Sequence, residues 1–87
     1  MSCEMSREDF DKAVKKVVDQ EFEGPINAGL LTREGLAPIA EGMCETIHRD
    51  FPVITAEDAE HHLRLLRKEC RETANRIYVM AKRAYGV

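Results

Sequence analysis

Cys44, Glu45 and His48 bring together the donor types that a metal ion takes. Cys44 and His48 stand four apart, and Glu45 with His48 makes a Glu-x-x-His pair. On a helix, residues three or four apart share a face, so these donors would point at one ion. The Glu-x-x-His spacing is the one used by carboxylate di-iron bundles, which need a second such pair and two further carboxylates. The nearest match is Asp58 with His61, a shorter acid in another segment, and Glu41 lies one turn before Glu45. The set is incomplete, so a metal-binding bundle ranks behind the functions weighed below. The plainer alternative makes Cys44 a small buried hydrophobe and His48 an exposed cation that favours a helix C-terminus. His61 and His62 are adjacent, so their rings diverge by about 100° and do not easily chelate one ion.

Other chemistry is thinner. The chain has no Gly-x-Ser-x-Gly, no cysteine in a nucleophile signature and no glycine-rich phosphate loop. Glu41 and Glu45 are a carboxylate pair by spacing, but acids at i,i+4 on a solvated face are merely mildly repulsive. No catalytic residue, resident metal, cofactor or small-molecule substrate is indicated, and the expectation is a protein that is not an enzyme.

A cationic stripe is the more extended constellation. His61, Arg64, Lys68, Arg71, Asn75, Tyr78, Lys82 and Tyr85 recur at three- and four-residue steps. Arg64, Lys68, Arg71, Tyr78, Lys82 and Tyr85 are the candidate partner-binding residues. Such a stripe could receive an acidic protein surface. It could also track phosphates while the tyrosines stack on bases. The bland alternative is a solvated helix back whose bases complement the macrodipole.

These residues need a long helix to align them, and the sequence predicts one over about 56–85. Thr55 offers an N-cap, with Glu57 and Asp58 in the first turn. Gly86 supplies a residue where the last turn can unwind. Ala59, Leu63, Leu66, Cys70, Thr73, Ile77, Met80 and Ala84 form a heptad seam, broadened by Ala74 and Ala81. Leu65 and Val79 fall outside it and are expected to touch a second neighbour. Thirty residues of helix run about 45 Å, whereas a compact chain of this length is about 31 Å across. The helix should therefore overhang the body, and a second copy would best bury its seam. A homodimer is expected.

Upstream, Ser6 caps a helix over about 6–23 that buries Phe10, Ala13, Val14, Val17, Val18 and Phe22, with Gly24-Pro25 as its terminator. Residues 25–31 read as a short helical turn. Thr32 then caps a helix over 33–50 burying Leu36, Ile39, Ala40, Met43 and Ile47. Pro38 is the anomaly, because inside a helix it costs about 3 kcal/mol; the regular helix should start near Leu36 or kink there. Phe51 and Ile54 are expected to plug the core between the last two helices. The fold class is all-α: a single domain over 1–87, a small bundle of three main helices with a long C-terminal one.

The charge balance is uneven. Residues 1–60 hold 14 acids against 6 bases, and residues 61–87 hold 2 acids against 7 bases, giving the net −3. This polarity suits two partner surfaces of opposite sign, and overall acidity argues against non-specific coating of nucleic acid. Cys3, Cys44 and Cys70 are an odd number with irregular spacing, which is no disulfide framework and suggests a reducing compartment. No apolar run approaches the ~20 residues of a membrane span. A cytoplasmic protein without a membrane partner follows by elimination. The expected function is a non-catalytic helical interaction module: an adaptor, regulator or inhibitor, in the size class of phage-borne and mobile-element inhibitors. The alternative is a nucleic-acid-binding regulator that uses the basic face.

Overall fold

In a computed structural model describing residues 3–85, the chain folds as four helices: α1 (Arg7–Glu21), α2 (Glu23–Asn27), α3 (Arg33–Asp50) and α4 (Ala56–Tyr85). Gly86, the expected helix end, lies outside the described residues. The three long helices each start at a hydroxyl cap. Ser6 Oγ accepts from the Asp9 N–H, Thr32 Oγ1 from Gly35 and Thr55 Oγ1 from Asp58, all at 3.1 Å. Each bond satisfies a donor that the first turn would otherwise leave without a partner.

Gly24-Pro25 does not end the first helix as the sequence suggested. The break comes earlier, at Phe22, and both residues sit inside α2. Pro25 has no N–H to give to the Glu21 carbonyl, and its ring crowds that same oxygen. Bonds on either side survive, Phe22 N–H to Val18 O and Ile26 N–H to Phe22 O, both at 3.0 Å. The result is a bend with a fresh turn of helix after it. That turn closes in a Schellman pattern, with Leu30 N–H on Pro25 O at 2.9 Å and Gly29 N–H on Ile26 O at 3.0 Å. Gly29 occupies φ +77°, which this pattern requires of its residue. Pro38 neither delays nor splits α3, which runs through it from Arg33.

The first helix is the centre of the bundle. Phe10, Val14, Val17 and Val18 are buried on it, and Phe22 follows at its end. Burial of each such side chain contributes about 1.5–3 kcal/mol. This helix packs against both α3 and α4, while α3 and α4 make no comparable approach to each other. Direction follows from the ends. Met5 N–H donates to Ile54 O at 2.8 Å where α1 and α4 begin, and Glu21 meets Arg71 at 3.2 Å further along. The two helices therefore run parallel. α3 runs against them, with Arg33 3.8 Å from Asp19 and His48 beside Asp11. An antiparallel bridge between Glu4 and Thr55 closes the start of the bundle.

The body measures 53 × 21 × 19 Å, with a radius of gyration of 14.7 Å, against about 12 Å for a compact chain of this length. The long helix sets that shape. Its seam is buried at Ala59, Leu66, Cys70 and Ala74 and half-buried at Leu63, Ile77 and Ala81. Beyond that the expectation fails: Met80 is 67% exposed, and Thr73 and Ala84 are exposed too. The covering helices have ended by Asn27, so nothing reaches the outer flank of the last turns. Leu65 and Val79 meet no second neighbour and are exposed, as is Ile39. Ile54 is buried, but Phe51 does not plug the core; its exposed ring lies 4.6 Å from that of His62. Among the described residues, no helix is long and apolar enough to cross a membrane.

Candidate functional site

The six candidate partner-binding residues recur along one flank of α4, and the structure divides them into two groups. Arg64 pairs with Glu60 one turn away at 3.3 Å, an exposed contact of small energetic value. Arg71 forks onto Glu21 of α1, with Nε 3.3 Å from Oε2 and Nη2 3.2 Å from Oε1. Arg67 joins from the next turn at 3.3 Å and also reaches Gln20 Oε1 at 3.4 Å. Hydrogen bonding by Arg71 holds the Glu21 carboxyl below its usual range against the opposing pull of burial, and the charges of Arg71 and Arg67 add to it. The same bond pushes the Arg71 guanidinium further up. Two of the stripe's cations are thus occupied by acids of their own chain, while Lys68 stays exposed between them.

Tyr78, Lys82 and Tyr85 are arranged differently. With Ala81 they face Ala28 and Leu30 across a cleft of about 520 Å³ between the end of α4 and the turn after α2. Tyr78 lies over Gly24, where a Cβ would collide with the tyrosine hydroxyl. The missing side chain is what lets the ring settle on α2. Tyr78 is 42% exposed and Tyr85 75% exposed, so each offers a ring face as well as a polar tip. Lys82 is the one charged side chain among those lining it. The cleft is therefore apolar in its walls with a single lysine at its edge.

Sequence reasoning missed Gly24, Ala28 and Leu30 as parts of this site. Gly24 reads as a helix end beside Pro25, and nothing local says that a tyrosine from the last helix covers it. Ala81 was legible only as a broadening of the seam.

Cys44, Glu45 and His48 line one open cleft between α1 and α3, together with Asp11 and Glu41. Glu45 is exposed, whereas Cys44 and His48 are buried against α1. His48 is not the exposed helix-end cation that its position suggested. Its Nε2 lies 2.7 Å from Asp11 Oδ1 and its ring meets Phe10 edge-on at 5.6 Å. Burial, together with the Asp11 carboxylate that accepts from it, pushes the Cys44 thiol up to about 11. A nucleophilic cysteine needs a neighbouring base and a lowered pKa. Here a carboxylate stands next to both groups and favours the protonated thiol. Among the described residues no group of three or more His, Cys, Asp or Glu side chains is placed to hold a metal ion.

A second concavity runs between α3 and α4. Leu36, Ile39 and Met43 form one wall and Cys70, Thr73 and Ile77 the other, enclosing about 170 Å³ over a floor supplied by Phe22. It exists because α1 separates the two helices that flank it.

No protein-family model matches the chain, and neither curated proteins nor solved structures provide a match.

Proposed function

We propose that the chain is a non-catalytic protein-interaction module, an adaptor, regulator or inhibitor, that grips an acidic, apolar segment of another protein with the end of α4. The observation that carries this is the pairing of an open apolar cleft, walled by Leu30, Ala81, Tyr78 and Tyr85, with Lys82 at its edge and no acidic side chain in its lining. An aliphatic or aromatic side chain of the partner enters between Leu30 and the tyrosines, and a carboxylate beside it meets Lys82. Tyrosines suit this task because they combine large contact area with few rotors and a hydrogen-bonding tip. The raised Cys44 thiol and the self-paired Arg64 and Arg71 favour this reading over catalysis and over a continuous phosphate track.

The test is fluorescence anisotropy with a panel of labelled peptides that alternate Glu or Asp with Leu or Phe, run beside a single-stranded oligonucleotide. Saturable peptide binding that Lys82→Glu and Tyr85→Ala each weaken about tenfold is the expected result. Oligonucleotide binding that falls log-linearly with salt, and that Arg64→Ala plus Arg71→Ala removes, would replace it with the nucleic-acid alternative. Absence of any peptide binding overturns it.

A further inference from the structure

A different flank of α4 carries a pattern that the cleft does not use. Tyr78 and Met80 are two apart, so they point about 200° away from each other around the helix. On the Met80 side, Leu65, Glu69, Arg76 and Met80 fall in one line along the outer edge of the α3–α4 groove. Leu65 and Met80 are 48% and 67% exposed, and Ile39 across the groove is 50% exposed. Large apolar side chains left in water along one line mark an interaction surface more often than singly scattered ones do. The order of types along this line is what identifies the occupant.

We infer that this face binds a second copy of the chain, with two α4 helices antiparallel about a two-fold axis between Glu72 and Thr73. In that register Leu65 lies opposite Met80 of the second copy, and Glu69 opposite Arg76 of the second copy. Symmetry makes each contact twice. The acid sits on the N-terminal side of the axis and the base on the C-terminal side, as an antiparallel pair requires for opposite charges to meet. A parallel pair would set Glu69 against Glu69 and Arg76 against Arg76, which is repulsive. Sliding the register by four residues, to bring Asp58 opposite Arg83, sets Glu69 against Glu72 and Leu65 against Arg76. Of these arrangements the stated register is the one that satisfies both charge and apolar matching at the centre.

The groove supplies the rest of the contact. The bundle has α1 at its centre with α3 and α4 on two sides, so the position between the outer helices is the vacant corner of a four-helix arrangement. A helix laid along it covers Ile39, Met43 and Thr73 as well as the line on α4. From His62 to Arg83 the paired stretch runs about 32 Å, and antiparallel helices cross at about 20° when such rows interlock. The tyrosine cleft remains outside this interface, so each copy keeps its own.

Sedimentation equilibrium on the full chain at about 100 μM, a concentration that populates complexes with micromolar Kd, tests this. The expected mass is twice the 9.9 kDa of one chain. Glu69→Arg and Arg76→Glu, each made alone, should weaken the dimer about tenfold, and the two together should restore it. Circular dichroism on each variant checks that the helices are intact, which the exposed positions of both residues favour. A monomer at that concentration, single variants that still dimerise as the parent does, or a double variant that fails to recover overturns the inference.

Discussion

His48 Nε2 lies 2.7 Å from Asp11 Oδ1, joining α3 to α1 across a contact where the histidine side chain is only 5% exposed. A carboxylate can only accept, so Nε2 carries the proton. Among the described residues, no buried side-chain nitrogen or oxygen lacks a partner, and this pair is one reason. A buried polar atom stripped of its partner loses both its protein bond and its water. His48→Ala should therefore destabilise the fold by about 2–3 kcal/mol, combining the lost bond with the vacated space beside Phe10. Asp11→Asn keeps an acceptor and should cost about 1 kcal/mol. Urea unfolding followed by circular dichroism measures both. A cost for His48→Ala near zero would show that the contact is ornamental.

Acid should reveal the fork on Glu21. Arg71 and Arg67 hold its carboxyl below the unfolded value. A group with a depressed folded pKa adds stability that is complete above the unfolded value, about 4.3 for glutamate. That stability is lost as pH falls from there through the lowered folded value. Glu21→Gln removes the titration, so its midpoint in urea should fall less steeply than that of the parent below pH ~4.3. Parallel acid limbs would assign the loss to other carboxylates.

The three cysteines should separate by reactivity. Cys3 is exposed, while Cys44 and Cys70 are buried. Burial raises both buried thiols, and Asp11 adds to it at Cys44, which reaches about 11. At pH ~8 the thiolate that reacts is scarce at Cys44. Iodoacetamide should alkylate Cys3 promptly and the other two only in urea, as read by peptide mass spectrometry. Rapid labelling of Cys44 in the folded chain would contradict its packing against α1.

Pro38 is exposed and sits six residues into α3, where its nitrogen cannot donate to the Glu34 carbonyl. Pro38→Ala restores that bond and removes the ring's clash with the turn before it. The unfolded chain regains some freedom, which offsets part of the benefit. A net stabilisation of about 1–2 kcal/mol is expected in thermal or urea unfolding. An unchanged midpoint would mean that α3 has already adapted its backbone around the ring.

The caps of α3 and α4 were legible because they are local signals, although Pro38 argued for a later start or a kink in α3 that the helix does not show. Thr32 and Thr55 mark their starts by reaching only three residues ahead. The break at Phe22 was misplaced, since Pro25 acts on a carbonyl four residues upstream and not at its own position. Burial of His48 was hidden because its partner is 37 positions away on another helix. Met80 fits the seam by spacing, yet periodicity cannot say where a covering helix ends. For the same reason the stripe's composition was readable while the capture of Arg71 by Glu21 was not.

The parallel course of α1 and α4 has a consequence for how the chain comes to be folded. The first helix shares its hydrophobic flank between a neighbour that follows soon after and one that is made last. A nascent chain released only as far as Asp50 can form the α1–α3 hairpin, but half of the Phe10 to Phe22 ridge still faces water. Closure waits for residues far along the sequence, a high-contact-order step that slows folding relative to a simple up-and-down bundle. During that interval the bare ridge is the stretch most open to a chaperone or to aggregation.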